Sequence, residues 1–270
     1  MMNIRQCLLI LFVLLAGSPP LAAETLVSLE SRPSVAQSFL LLEAAHPVAN
    51  VILFAGGHGN LHLAGDVSQP TIGWGKNNFL VRTRNQFLEH GFTVAVIDSP
   101  SDRRSDDGMF YGFRTSREHV IDIDAVIAYL RQRNHLPVWL VGTSRGTESA
   151  AYVMIHSTQS PDGLILSSSM TEDNSKGVPL VDMDLERITR PVFLASHRDD
   201  QCWVTLPSGN ETLKKMLTHA TRVELKYYQG GEEPQSSACQ AMSAHGFLGI
   251  EKNVVGDIAD FIGGQGVAVK

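Results

Sequence analysis

Clusters of positive charge are missing from this chain: 22 Lys and Arg face 28 Asp and Glu, with no run of five or more basic residues. Nucleic acid is therefore excluded as a partner, because no basic patch exists to neutralise phosphates. Long apolar runs are scarce as well. The most extended, Cys7 to Ala16, has about ten residues, against the roughly 20 that a bilayer-spanning helix needs. Repeats and low-complexity tracts are absent. With 43% hydrophobic and 19% charged residues, the composition is that of a folded globular protein. Cysteine is limited to Cys7, Cys202 and Cys239. At 270 residues the chain can bury one large core without dividing into two.

What stands at the start is a targeting pattern. Arg5 lies in a short polar segment, the apolar run follows, and Gly17-Ser18-Pro19-Pro20 leads to the small pair Ala22-Ala23. This is the layout of a secretory signal peptide over residues 1–23, cleaved before Glu24. Ser18 occupies the place where a lipid-bearing cysteine would follow the apolar run, so no lipid anchor is expected. The mature product is then a single domain over residues 24–270, periplasmic or secreted, with no stable membrane anchor. Cleavage removes Arg5 and no acid, taking the net charge from −6 to −7.

Along the mature chain, strand and helix signals alternate. Two antiparallel strands are expected between Glu24 and Glu43, closed by a turn at His46-Pro47. Val51 to Phe54 is a continuous apolar run suited to a buried parallel strand, and it empties into Ala55-Gly56-Gly57-His58-Gly59. A helix is expected from Asn78 to His90, with Gly91 as its stop. Phe92 to Ile97 is another buried strand. The segment Ser99 to Arg114 is either a pocket-lining loop or a surface loop with an apolar foot. Thr115 and Glu118 form a capping box for a helix striped by Val120, Ile123, Ile127 and Leu130. Further strands are read at Val138–Val141, Leu164–Leu166, Pro191–Ala195 and Val223–Tyr228. Helices are read at Glu148–Ile155, at about Ser208–Ala220 and around Val254–Ile262. The connection from Ser167 to Arg190 is too short for a large lid, so loops including Met170 to Gly177 are expected to roof an accessible cleft. His58 and His62 have the spacing of two helical metal ligands, but Gly59 and Asn60 between them oppose a helix. Neither a metal nor a cofactor is expected.

The chemistry-bearing stretch is Leu140-Val141-Gly142-Thr143-Ser144-Arg145-Gly146, where an apolar strand ends in Gly-x-Ser-x-Gly and a helix begins. A turn this sharp crowds the residues around the serine, which explains glycine at 142 and 146. It presents the Ser144 hydroxyl as a nucleophile and sets the Arg145 N–H and the helix dipole beside any oxyanion formed there. The glycine-rich exit after Phe54 offers a second donor, with Gly57 preferred over His58. Alternating strands and helices argue for a parallel sheet covered on both faces, with chemistry at the carboxyl ends of its strands. Loops bearing Gly57, Ser144, Asp200 and His245 all fall on that edge.

The order Ser, Asp, His resembles that of the α/β-hydrolase fold family, over roughly Val51 to Ile262. The resemblance implies an α/β fold with a mostly parallel central sheet of about eight strands. It further implies a serine hydrolase, esterase-like and, with the signal peptide, exported, acting on a small-molecule acyl substrate through an acyl-enzyme on Ser144. His245 would be the base, Asp200 the acid, and Gly57 and Arg145 the oxyanion donors. Asp199 remains an alternative acid. A peptidase, lyase or perhydrolase would use the same three residues, and an inactive relative would use the fold for binding alone. Arg145 occupies a position often small or apolar in relatives; it would bind a substrate carboxylate or, as the preferred reading, pair with Asp98 or Glu148. Once the signal peptide is gone, only Cys202 and Cys239 remain. An even count in an exported chain, and their places beside the expected acid and histidine, imply a disulfide between them.

Overall fold

The computed structural model describes residues 23–264; the expected signal peptide lies, apart from Ala23, outside the described residues. Among the described residues ten strands and six α-helices follow one another. In chain order the first strands are β1 (Thr25–Arg32), β2 (Val35–Leu42), β3 (Ala49–Phe54), β4 (Leu63–Asp66) and β5 (Gln69–Ile72). Next come α1 (Phe79–Arg82), α2 (Arg84–Glu89), β6 (Phe92–Ile97), α3 (Arg117–Asn134), β7 (Val138–Thr143), α4 (Gly146–His156) and β8 (Gly163–Ser167). The chain closes with β9 (Val192–His197), α5 (Gly209–Met216), β10 (Val223–Tyr228) and α6 (Glu251–Ile262). Eight strands form one sheet in the order β1-β2-β6-β3-β7-β8-β9-β10, while β4 and β5 pair separately. β2 runs antiparallel to both its neighbours, β1 and β6; from β6 to β10 every pairing is parallel. This is the α/β-hydrolase fold.

The central strands are apolar throughout because both faces are covered. Alternate side chains of one strand serve opposite cores. Ile52 and Phe54 of β3, with Val138 and Leu140 of β7, pack against α3 and α4. Val51 and Leu53, with Trp139 and Val141, face α1, α2 and α6. Burying each Val, Leu, Ile or Phe side chain among these contributes about 1.5–3 kcal/mol, which stabilises the sheet's centre. No helix among the described residues is long and apolar enough to cross a membrane.

Three local expectations are corrected. The β1–β2 turn is Pro33-Ser34, with Ser34 in the left-handed region at φ 60°. Proline presets the first turn position and serine tolerates the second, so His46-Pro47 is left to link β2 to β3. The helix expected from Asn78 to His90 breaks at Thr83, whose hydroxyl donates to the Phe79 carbonyl at 2.7 Å and competes with the helical ladder. The cap of α3 is Ser116, which accepts from the His119 N–H at 3.2 Å, whereas the Thr115 hydroxyl turns back to the Gly112 carbonyl. The cap therefore lies one residue later than the Thr115–Glu118 pattern predicts.

Candidate active site

Ser144 sits between β7 and α4 at φ 51°, a left-handed conformation that costs of order 1–3 kcal/mol for a residue with a Cβ. The surroundings hold it there. Its N–H donates to the Ser167 carbonyl on β8 at 2.9 Å, and its carbonyl accepts from the Thr147 N–H at 2.9 Å and hydroxyl at 2.6 Å. A Cβ on Gly146 would lie 2.0 Å from the Phe54 carbonyl oxygen, and one on Gly142 would lie 2.5 Å from the Gly146 carbonyl oxygen. Both glycines are thus demanded by backbone approach, as the turn's sharpness required.

Asp200 and His245 meet. The His245 Nδ1 lies 3.0 Å from Asp200 Oδ2, in a contact almost fully buried on both sides. The other carboxylate oxygen accepts from the Cys202 N–H at 2.9 Å, and Thr205 donates its hydroxyl to Oδ2 at 3.0 Å. Asp199, by contrast, leaves 69% of its side chain exposed and lies 3.8 Å from His197. Geometry therefore joins Asp200, and not its neighbour, to His245. Behind the imidazole, the Ser168 hydroxyl donates to the His245 carbonyl at 2.8 Å, fixing the loop's backbone to the end of β8. Cys202 and Cys239 form a disulfide with Cα atoms 4.5 Å apart, tying the acid loop to the segment that precedes the histidine.

Ser144 and His245 line a common cavity of about 550 Å³, together with Gly56 and Gly57. Gly56 abuts the serine: a Cβ there would be 3.0 Å from Ser144 Cβ. Among the described residues, the N–H groups of Gly57 and Arg145 donate to no backbone carbonyl. Arg145 directs its guanidinium away from the cavity, 3.5 Å from Glu148 and over the Phe110 ring. Asp98 is not its partner, being occupied by the N–H groups of Leu61, Leu63 and Ser99 and by Arg104. Burial raises the Glu148 carboxyl above its ordinary range, with Arg114 and Arg145 pulling the other way.

The roof is not where the sequence suggested. Met170 to Gly177 does not line the cavity: Met170 is fully buried in the core, and Gly177 abuts the Glu148 carboxylate. The walls come instead from Gly73 to Phe79 and from Ser236 to Gly246. Arg82 clasps these two segments. It donates to the Asn77, Ala241 and Gly246 carbonyls while pairing with Glu251 at 2.9 Å. Trp74, Phe79 and Met242 supply apolar wall, and Lys76, Asn77, Asn78 and Gln240 supply polar wall. The segment from Ser99 to Arg114 proves to be a surface loop on an apolar foot, with Met109 and Phe113 buried and Tyr111 exposed. His58 stacks on Trp74 with ring centroids 3.9 Å apart. Thr205, Trp74 and Arg82 were not singled out from sequence; each acts through contacts with distant segments that no local pattern encodes.

This fold, with a strained serine elbow and a buried Asp–His pair on one sheet edge, defines an α/β hydrolase. The family model described as serine aminopeptidase, S33, matches residues 78–232, which include Ser144 and Asp200 and stop short of His245. The chain belongs to that family. Solved structures of similar fold include an esterase from Pyrococcus furiosus, 14% identical, with a TM-score of 0.63 over 90% of this chain and 92% of that one. An α/β serine hydrolase without a lid from Xanthomonas campestris is 15% identical, with a TM-score of 0.58 over 89% of this chain and 96% of that one. A cold-adapted esterase from an Arctic intertidal metagenomic library is also 15% identical, with a TM-score of 0.57 over 90% and 96% of the two chains. No curated protein matches the sequence.

Proposed function

We propose that this protein is an exported serine hydrolase that cleaves a carboxylic ester through an acyl-enzyme on Ser144. The observation that carries the reading is the buried Asp200–His245 contact at 3.0 Å beside a cavity that Ser144 also lines. In the proposed cycle His245 takes the Ser144 proton as the hydroxyl oxygen bonds to the carbonyl carbon. The carbonyl oxygen becomes an oxyanion facing the N–H groups of Gly57 and Arg145. His245 then returns the proton to the departing alcohol, and a water activated by the same imidazole releases the acid. Asp200 holds the ring in the tautomer with its free nitrogen toward the serine and steadies the imidazolium.

The family's description raises an aminopeptidase as a second reading. That reaction needs an anionic partner for the substrate's ammonium group. The cavity lining contains no Asp or Glu, and Lys76 is its one side chain with a permanent charge. This favours esters with neutral or anionic acyl groups, and the cavity size suits a small molecule.

Labelling, turnover and intact mass test this. A fluorophosphonate probe should label the wild type, and Ser144→Ala should abolish both labelling and turnover of p-nitrophenyl esters by several orders of magnitude. Equal labelling of the variant would refute Ser144 as nucleophile. An aminoacyl p-nitroanilide cleaved faster than every ester would favour the peptidase. For export, the intact mass of native protein should correspond to a chain beginning near Glu24; one retaining Met1 would contradict it.

A further inference from the structure

Among the described residues Arg114 is the largest fully buried side chain, only 1% exposed, and no carboxylate there hydrogen-bonds to it. Its Nη1 donates to the Ser149 hydroxyl on α4 at 2.7 Å. Its Nη2 donates to two backbone carbonyls, that of Ala55 at 3.0 Å and that of Gly57 at 3.2 Å. The remaining Nε has no partner. Burial draws the guanidinium down to about 10, against the pull of Glu148. Burying such a charge without a directly bonded carboxylate carries a desolvation cost that its three hydrogen bonds to neutral acceptors offset without a clear surplus. Stability of the core alone does not single it out.

Its position does. The carbonyls at 55 and 57 belong to the peptide units on either side of the one that joins Gly56 to Gly57. That middle unit carries the Gly57 N–H, and Gly57 takes φ +60° to present it. On the other side the Trp74 indole lies so close that a Cβ on Gly57 would be 2.5 Å from its Cη2. Trp74 is itself steadied by stacking on His58. A Cβ on Gly59 would come 2.4 Å from Arg114 Nη2, so the glycine at 59 leaves the room through which the guanidinium reaches the loop. The loop is gripped from within by an arginine and from the cavity by a tryptophan.

We propose that Arg114 is a positioning residue for acyl transfer, fixing the peptide between Gly56 and Gly57 so that the Gly57 N–H meets the oxyanion formed at Ser144. The inference rests on the serine-hydrolase reading above. Arg114 touches neither substrate nor reacting atoms; it acts through the backbone it holds. Only a planar fork can serve Ala55, Gly57 and Ser149 together, so the geometry of the group matters beyond its charge.

The test compares wild type with Arg114→Met, Arg114→Lys and Ser149→Ala. Each is assayed for kcat and KM on a p-nitrophenyl ester, for Tm, and for affinity toward a trifluoromethyl ketone. Addition of Ser144 Oγ to the ketone carbon breaks its C=O π bond and places an oxyanion at the site, the serine proton passing to His245. Both Arg114 variants should lose roughly 10- to 100-fold in kcat, a misplaced donor costing less than a deleted one, with KM changed less than about threefold. Ketone affinity should weaken by the same factor as kcat/KM. A purely structural role would lower Tm without that matched loss. If Arg114→Lys retained wild-type kcat, or kcat fell while ketone affinity held, the proposal would be overturned. Should the Arg114 variants fail to fold, Ser149→Ala decides: a matched loss of several-fold supports the role and none refutes it. A wild type that neither labels nor turns over would sink the hydrolase reading instead, which separates the two failures.

Discussion

Breaking the Cys202–Cys239 bond should damage the site before it unfolds the protein. The bond spans 37 residues, and in the chain-entropy model a loop of that length stabilises the native state by about 4 kcal/mol at 25 °C. For a chain of this size each kcal/mol corresponds to about 2–4 °C, so reduction should lower Tm by roughly 8–15 °C. The local effect is separate. Cys202 donates its N–H to Asp200 Oδ1, and Cys239 lines the cavity in the same roof segment as His245. Release lets the acid loop and the histidine loop drift apart, and a displacement of about 1 Å in such a contact can cost on the order of 100-fold in rate. We expect calorimetry and initial ester-hydrolysis rates to be compared for oxidised wild type, reduced wild type and Cys202→Ala/Cys239→Ala. The reduced wild type keeps both sulfur atoms and so isolates the bond from lost packing volume. Activity should fall at temperatures well below the reduced protein's Tm. The reasoning fails if Tm moves by less than about 2 °C, or if activity declines only in step with global unfolding. Two free thiols in the denatured, unreduced mature protein would remove its premise.

Other expectations follow from neighbouring contacts. Asp200→Asn should lower kcat by about 10³–10⁴-fold while Asp199→Asn changes it less than about threefold, since only Asp200 reaches His245; a larger loss at 199 would reverse the assignment of the acid. His119, buried against Phe54 and Phe113 with neither ring nitrogen bonded, is held neutral by burial, its pKa pushed from 6.5 to about 3. Between those values the unfolded chain binds the proton that the native imidazole refuses, so stability rises with pH and is lost as pH falls below 6.5. His119→Phe should recover about 2–3 kcal/mol at pH 4.5 relative to its effect at pH 8; urea unfolding at the two pH values that gave identical differences would refute it.

The elbow was legible because its glycines are consequences of contact. Gly142 and Gly146 stand where any Cβ would strike backbone, and the sequence records that exclusion directly. The buried strands were legible for a similar reason: Val51 to Phe54 must satisfy two cores at once, so polarity is absent from both faces. Asp199 and Asp200 were not separable, because adjacent loop residues point differently only once Thr205 and the Cys202 N–H have taken the carboxylate of one of them. The roof escaped for a different cause. Arg82 joins Asn77 to Ala241 and pairs with Glu251, which is 169 residues away, and no periodicity announces such a clasp. Arg114 lies at the end of a polar loop, where an arginine reads as solvated. Its acceptors belong to the exit of β3 and to α4, so its burial is a property of the assembled fold.

The short connection between β8 and β9 determines where specificity can reside. Met170, Leu180 and Leu185 are fully buried there, so this segment packs down into the core and does not rise over the serine. A long insertion at this connection could enclose a substrate; the residues between β8 and β9 provide no such material. Discrimination must therefore come from the opposite rim, where Trp74 to Phe79 and Gln240 to Gly246 face the cavity. Those two segments have little regular structure of their own and owe their fixed spacing to Arg82 on one flank and the disulfide on the other. A cleft walled by tethered loops can be narrow without being closed. Exchanges at Trp74, Lys76 or Met242 should consequently alter the ranking of esters, whereas changes on the outer face of the β8–β9 connection should leave it as it is.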